Sequence, residues 1–313
     1  LVDKQPATQD TPRRDNPRAG FLWGLASPLT AALIFFLVPM IASEMGLFGM
    51  GPIWFTLGAL CYLLVLLFGG NISRLVPPKG FRFRVFLIGV LQAVSTALFF
   101  GALLVAEPAP ISFLANGTTI FTVVLSAIFL KERLNLGQLI GGALVIAGAL
   151  VMTWAGDSGN TLGAVLILSS GLTFSLHSLI VRQITTEVHP ASIGFWRCLA
   201  IAVSFLIVAL FNGDPLIPAS TQTGLLLVIG AVIGPFLSIF TYYQALKNWG
   251  AGKVDLLRAS LPLWVLILVF IEGGEVPTGI RLLGGGVTII GVVVLLLFRR
   301  YRKQKLIEVR DAA

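Results

Sequence analysis

Ten apolar stretches of about 20 residues follow one another through this 313-residue chain, with little sequence between them. A helix needs about 20 apolar residues to cross the hydrocarbon core of a bilayer. The stretches are 20–42, 51–70, 83–105, 108–129, 136–155, 161–183, 188–211, 222–246, 253–271 and 279–298. The expected fold is an all-α integral membrane protein with no loop long enough for a separate domain. The basic residues test the count. Arg13, Arg14 and Arg18 precede the first span, and Arg74, Lys79, Arg82 and Arg84 fall between the second and third. Lys131 and Arg133, then Arg182, then Lys247 and Lys253, mark every second connection after that, and Arg299, Arg300, Arg302, Lys303, Lys305 and Arg310 end the chain. The connections between carry acids instead: Glu44, Glu107, Asp157, Asp214, Glu272 and Glu275. Positive-inside bias then predicts an even number of crossings with both termini in the cytoplasm.

Charged residues are only 12% of the chain, about half of what a soluble domain carries. The net charge of +8 does not imply nucleic-acid binding, because 19 of the 22 basic residues lie in the cytoplasmic loops and tails. There they orient the chain and face anionic lipid, and no basic face is interleaved with aromatics. Cys61 and Cys198 both fall inside spans, so neither a disulfide framework nor a metal site is expected, and no cofactor is implied. The first span is too long for the apolar core of a cleavable signal. Residues 1–19 are polar and expected to be disordered; residues 299–313 read as a basic cytoplasmic tail. Short loops and no signal suit a bacterial inner membrane.

An internal repeat organises the spans. Residues 131–148 (KERLNLGQLIGGALVIAG) match 274–291 (GEVPTGIRLLGGGVTIIG) at a shift of 143. Glu132 falls on Glu275, Gly141 on Gly284, Gly142 on Gly285 and Gly148 on Gly291; Ala102 and Leu103 fall on Ala245 and Leu246. Each unit, 20–155 and 161–298, holds five spans. Because five is odd, the second unit must enter the membrane from the opposite side. Two inverted five-helix repeats of this kind are the architecture of secondary transporters.

Several local motifs agree. Trp23-Gly24 opens the first span, Pro190 precedes Arg197 in the seventh, and Pro262 is followed by Gly274-Glu275, Gly284 and Gly291. Over residues 20–298 the chain resembles the EamA-like branch of the drug/metabolite transporter superfamily. It departs at Ala59, where the pattern has an Arg, and at Thr119, where the second half has Pro262. The resemblance implies export of amino acids or related metabolites, and that the fifth and tenth helices stand behind the substrate path.

Polar groups inside spans are costly and face a cavity or a partner. Gln92, Ser95, Thr96 and Phe99 share one helical face. Ser112, Asn116, Thr119, Val123 and Ser126 form a stripe on the fourth span, with Asn116 opposite Ala259 in the repeat. His177 shares a face with Ser170 and Thr173; it is either bonded to a hydroxyl or carbonyl or available for proton transfer. Arg197, two turns inside the seventh span, needs a carboxylate, carbonyls or an anionic ligand, and structural pairing is the first reading. Pro235 follows Gly230 and Gly234 and predicts a kink or hinge; Pro262 weakens the ladder near the middle of the ninth span, which suits a second hinge and a discontinuous helix at a binding site. Tyr242 either lines the path or anchors the interface. Trp264 offers a surface for a flat or aliphatic solute. Asp255 and Arg258, three residues apart, form a boundary salt bridge or inner gate. The Gly-rich fifth and tenth spans predict close helix approach. Glu132 and Glu275 are expected to cap the helices that follow them.

The candidate substrate-binding set is therefore Gln92, Asn116, Thr119, His177, Arg197, Tyr242 and Trp264. Its amides, hydroxyls and rings suit a neutral, zwitterionic or weakly anionic solute moved by alternating access, by facilitated diffusion or exchange. The alternative is a membrane accessory subunit that transports nothing and docks through its Gly-faced helices. Metal-ligand clusters and nucleophile motifs are absent from the sequence, which argues against an enzyme. A homo-oligomer is compatible with all of this.

Overall fold

The computed structural model describes residues 17–129, 136–154, 158–184, 187–249, 254, 257–274 and 279–311. Every regular element among them is helical: α1 (Pro17–Met45), α2 (Gly51–Phe68), α3 (Arg82–Val105), α4 (Pro108–Ala115), α5 (Thr118–Phe129), α6 (Leu136–Trp154), α7 (Ser158–Ile184), α8 (Pro190–Asn212), α9 (Thr221–Ala231), a π-helical turn (Val232–Leu237), α10 (Ser238–Trp249), α11 (Leu261–Ile271) and α12 (Ile280–Asp311), with short 3-10 turns at Ile72–Arg74 and Lys79–Phe81.

Among the described residues, seven helical stretches are long and apolar enough to cross a membrane: Arg18–Met45, Gly51–Phe68, Lys79–Val105, Pro108–Phe129, Thr161–Val181, Pro190–Asn212 and Thr221–Tyr242. Three shorter apolar helices, Leu136–Gly148, Leu261–Ile271 and Leu282–Phe298, stand where the fifth, ninth and tenth spans are expected. The outward faces carry large apolar side chains such as Phe68, Phe86, Phe211 and Phe270, as a surface solvated by lipid requires. Three details differ from the sequence expectation. The fourth span is not one helix but α4 and α5, broken at Asn116 and Gly117. The stretch after residue 298, read from sequence only as a basic tail, is helical and continues α12 as far as Asp311; it is rich in helix-forming Arg, Lys, Gln and Leu and has no Gly or Pro. Residues 17–19, expected in the disordered tail, form the first turn of α1.

Helix ends are set locally. Pro52, Pro108 and Pro190 occupy first turns, where a missing N–H costs nothing. Gly213, at φ +73°, closes α8 in the left-handed conformation with its N–H on the Ala209 carbonyl. Ser220 caps α9 by accepting from the Thr223 N–H, at 3.0 Å. The Glu44 carboxylate, near the end of α1, in turn accepts from the Ser220 N–H and hydroxyl and from the Thr223 hydroxyl, at 2.8, 2.8 and 2.6 Å. One acid thus ties α1 to the start of α9.

Packing repeats the 143-residue shift in reciprocal form. Gly51 lies on the Phe205 ring and Gly194 on the Tyr62 ring; 51 + 143 is 194 and 62 + 143 is 205. Gly141 touches the Gly291 carbonyl and Gly148 the Gly284 carbonyl; 141 + 143 is 284 and 148 + 143 is 291. The Ser95 hydroxyl donates to the Ser170 carbonyl at 3.0 Å and the Ser170 hydroxyl to the Ser95 carbonyl at 2.8 Å, joining α3 to α7. The Ser27 hydroxyl donates to the Ser238 carbonyl at 3.4 Å, joining α1 to α10; 27 + 143 is 170 and 95 + 143 is 238. Contacts from i to j + 143 and from j to i + 143 are what a two-fold relation between two like units produces. The main core lies between them, where Trp54, Phe55, Phe100 and Phe205 meet ring to ring.

The glycine contacts give a direct test. A Cβ at Gly141 would stand 2.6 Å from the Leu295 backbone nitrogen, whereas one at Gly142 would meet nothing within 4 Å. Gly141→Val is expected to cost about 1–3 kcal/mol by overpacking and to lower the thermal midpoint of the purified protein by several degrees. Gly142→Val is expected to leave it unchanged.

Candidate substrate-binding site

Asn116 and Gly117 interrupt the fourth span because an Asn-Gly pair favours a turn over continued helix. Gly117 N–H bonds to the Leu114 carbonyl at 2.8 Å, a tightened turn that closes α4, and α5 starts at Thr118. The second half is interrupted at Ala259 and Ser260, again 143 residues on. There Ser260 N–H reaches the Leu257 carbonyl at 3.0 Å. Pro262 then sits in the first turn of α11, directly after the break, so the ninth span is discontinuous beside this proline.

The two breaks touch. The Asn116 amide nitrogen donates to the Ala259 carbonyl at 3.2 Å, and both residues are buried. A helix break inside a membrane frees backbone groups that lipid cannot satisfy. Here the side chain of one break satisfies a carbonyl of the other. Thr119 stands half-buried at the start of α5, its N–H on the Asn116 carbonyl. On the other side of the junction the Arg258 guanidinium lies 4.4 Å from the centre of the half-buried Tyr242 ring, a cation–π contact. Trp264, one turn into α11, is half-buried against the core. Asp255, Glu132 and Glu275 lie outside the described residues.

A second group forms around Pro235. Proline has no N–H to give, and the helix widens into the π turn at Val232–Leu237. Arg197 Nη2 donates to the Pro235 carbonyl at 3.0 Å and the Tyr62 hydroxyl donates to the same oxygen at 3.2 Å. The guanidinium is therefore held by a carbonyl, one of the partners expected of it. Trp54 fills the space beside Gly230 and Gly234, and Gly58 lies against the Pro235 ring. Tyr62 and Trp54 were not singled out from sequence. Both are rings in an apolar span, and nothing in the linear pattern connects them to a proline far along the chain.

Gln92 and His177 belong to the seam between α3 and α7. Gln92, 9% exposed, donates from its amide nitrogen to the Thr96 hydroxyl at 3.2 Å, and its carbonyl oxygen has no hydrogen-bond partner. His177, 7% exposed, stacks on Phe174 with ring centroids 5.4 Å apart, and neither ring nitrogen has a hydrogen-bond partner. The hydroxyl or carbonyl partner expected for His177 is thus not found. The candidate residues accordingly fall into three neighbourhoods: the paired breaks, the π turn and the α3/α7 seam. No group of three or more His, Cys, Asp or Glu that could hold a metal occurs among the described residues.

Removing the link between the breaks leaves the Ala259 carbonyl unsatisfied. Asn116→Ala is expected to destabilise the protein by about 1–2 kcal/mol. Tyr62→Phe is expected to cost less, about 0.5–1 kcal/mol, because Arg197 still serves Pro235. Thermal midpoints in one detergent check the order.

The sequence model of the EamA-like transporter family matches this chain twice, over residues 18–154 and 161–297. Among curated proteins, the pseudopaline exporter CntI of Pseudomonas aeruginosa is 28% identical over 244 residues, 75% of this chain and 81% of that protein. The inner membrane transporter YedA of Escherichia coli is 28% identical over 71% of this chain and 73% of its own length. A probable terminal-alkyne amino-acid exporter of Streptantibioticus cattleyicolor is 28% identical over 56% of this chain and 60% of its own. A solved crystal structure superposes with a TM-score of 0.64 at 23% identity, over 90% of this chain and 98% of that one, which bears on the fold alone.

Proposed function

Since the chain belongs to the EamA-like transporter family, we propose that it is a secondary carrier exporting a small amino-acid-like metabolite across a bacterial inner membrane by alternating access. In this reading ten helices form two inverted five-helix units, residues 20–155 and 161–298, with both termini cytoplasmic. The carrying observation is the meeting of the two helix breaks, Asn116-Gly117 and Ala259-Ser260, at positions 143 residues apart. Discontinuous helices facing each other near the midplane supply polar backbone for a solute in an otherwise apolar interior. They also supply places where each unit can bend. The π turn at Pro235 gives a third.

The roles divide accordingly. Asn116 and Thr119 stand at the junction, and Tyr242 and Trp264 offer rings beside it. Gln92, His177 and Arg197 supply polar contacts on the α3, α7 and α8 side. Pro235 and Pro262 serve as hinges, and Arg258 with Asp255 acts at the cytoplasmic gate. The amino-acid class is supported by this mixture of amides, rings and a cation, and by the exporters among the relatives. An acid deep in a span, of the kind that carries protons, is missing from the sequence, which favours facilitated diffusion or exchange.

Proteoliposomes loaded with a panel of amino acids test the reading. At least one is expected to leave faster than from protein-free vesicles without an imposed pH gradient. Asn116→Ala and Trp264→Ala should each lower that rate at least tenfold. Flux equal to protein-free vesicles for the whole panel would refute the class, and a strict requirement for the gradient would refute the driving force.

A further inference from the structure

Gln92 on α3 and His177 on α7, helices joined by the Ser95–Ser170 pair, carry buried polar atoms without hydrogen-bond partners, and no such atom occurs on α1 or α10 among the described residues. Helices α3 and α7 run antiparallel, since Ser95 meets Ser170 while Gly101 meets Leu166 and Gly163 meets Ala106. Gln92 is three residues from Ser95 and His177 seven from Ser170, both towards the same end. They are therefore separated by roughly 6 Å along the seam, at 1.5 Å per residue. The spacings of three and seven keep both on the faces that carry the serine pair.

The seam between α1 and α10 is built on the same plan, around Ser27 and Ser238. There the positions of Gln92 and His177 are occupied by Pro235 and Ile34; 92 + 143 is 235 and 34 + 143 is 177. Packing of this seam does not require polar side chains at those places. Yet a buried amide oxygen and a buried imidazole without partners each carry an uncompensated desolvation cost. Groups retained at such cost await a partner that arrives from outside.

We propose that the α3/α7 seam is the half-site for the charged head of a zwitterionic α-amino acid. The ammonium group donates to Gln92 Oε1, and the carboxylate accepts from a His177 ring N–H. The two hydrogen bonds, each about 2.9 Å, with the short head between them, bridge the separation along the seam. The side chain of the solute then extends towards the paired breaks and Trp264. This half-site rests on the carrier reading above.

The chain has two histidines, 177 and 189, so the imidazole is its own reporter. The full chain labelled with 15N-histidine is placed in nanodiscs, and His189→Asn assigns the signals. Leucine, methionine and phenylalanine are added in turn, then 2-phenylethylamine and 3-phenylpropanoate, each of which lacks one charge of the head. At least one amino acid is expected to move the His177 ring resonances, and neither single-charge analogue should do so at the same concentration. In proteoliposomes Gln92→Leu and His177→Leu should each raise the half-saturating concentration of that amino acid at least tenfold, the loss expected for a hydrogen bond to a charged group. Transport by the wild type with still ring resonances, or with unchanged half-saturation in both variants, overturns the half-site and leaves the carrier standing. An absence of both transport and resonance shift for all three amino acids overturns the carrier and the half-site together. The resonance measurement uses the unaltered seam, so it decides even where a variant fails to fold.

Discussion

A helix broken inside lipid must have its freed backbone groups satisfied by protein, and the rest of this architecture follows from that constraint. The Asn116 amide on the Ala259 carbonyl is the point where it is met. A break in only one half would leave its carbonyls to be served by chance neighbours. Two breaks in corresponding places face each other, and the side chain of one serves a carbonyl of the other. The same logic governs the π turn, where Arg197 and Tyr62 converge on the Pro235 carbonyl. An arginine at this depth is costly in an apolar setting. Here it is held by a backbone oxygen that the turn presents.

Packing and chemistry obey different rules in this molecule. Apolar and small-residue contacts are reciprocal: Gly51 on Phe205 mirrors Gly194 on Tyr62, and Gly141 on Gly291 mirrors Gly148 on Gly284. The serine pairs Ser95–Ser170 and Ser27–Ser238 follow the same rule, but the polar candidate-site residues do not. Gln92 corresponds to Pro235, His177 to Ile34, Arg197 to Trp54 and Asn116 to Ala259. In the proposed carrier mechanism, a two-fold frame lets either face open by the same small motion. In the same proposal, unequal polar residues on that frame make a site that recognises one end of a solute from the other.

Much of the frame was legible from the chain. Helix type and the 143-residue match of Gly141 and Gly148 rest on short-range hydropathy and direct repetition, which survive in one dimension. The family match over both halves agrees with that resemblance. The breaks were harder. Pro262 drew attention to the ninth span, but the interruption lies just before it at Ala259 and Ser260, because proline clashes with the preceding turn yet is tolerated in the first turn of a new helix. The Asn116-Gly117 turn was hidden by reading Asn116 only as a side chain on a stripe. Tyr62 and Trp54 were invisible, since their importance depends on a carbonyl and two glycines more than 170 residues away. His177 was expected to have a hydroxyl or carbonyl partner, and three-dimensional placement leaves its nitrogens without one.

The central claim is that one chamber beside the paired breaks opens to either side of the membrane. A single cysteine at Thr119, in a chain whose free Cys61 and Cys198 have been replaced by alanine, reports it. Right-side-out and inside-out vesicles are treated with a membrane-impermeant maleimide, with and without a transported solute. The account predicts labelling from both faces, with the solute altering the balance between them. Labelling from one face alone at every solute concentration would contradict it.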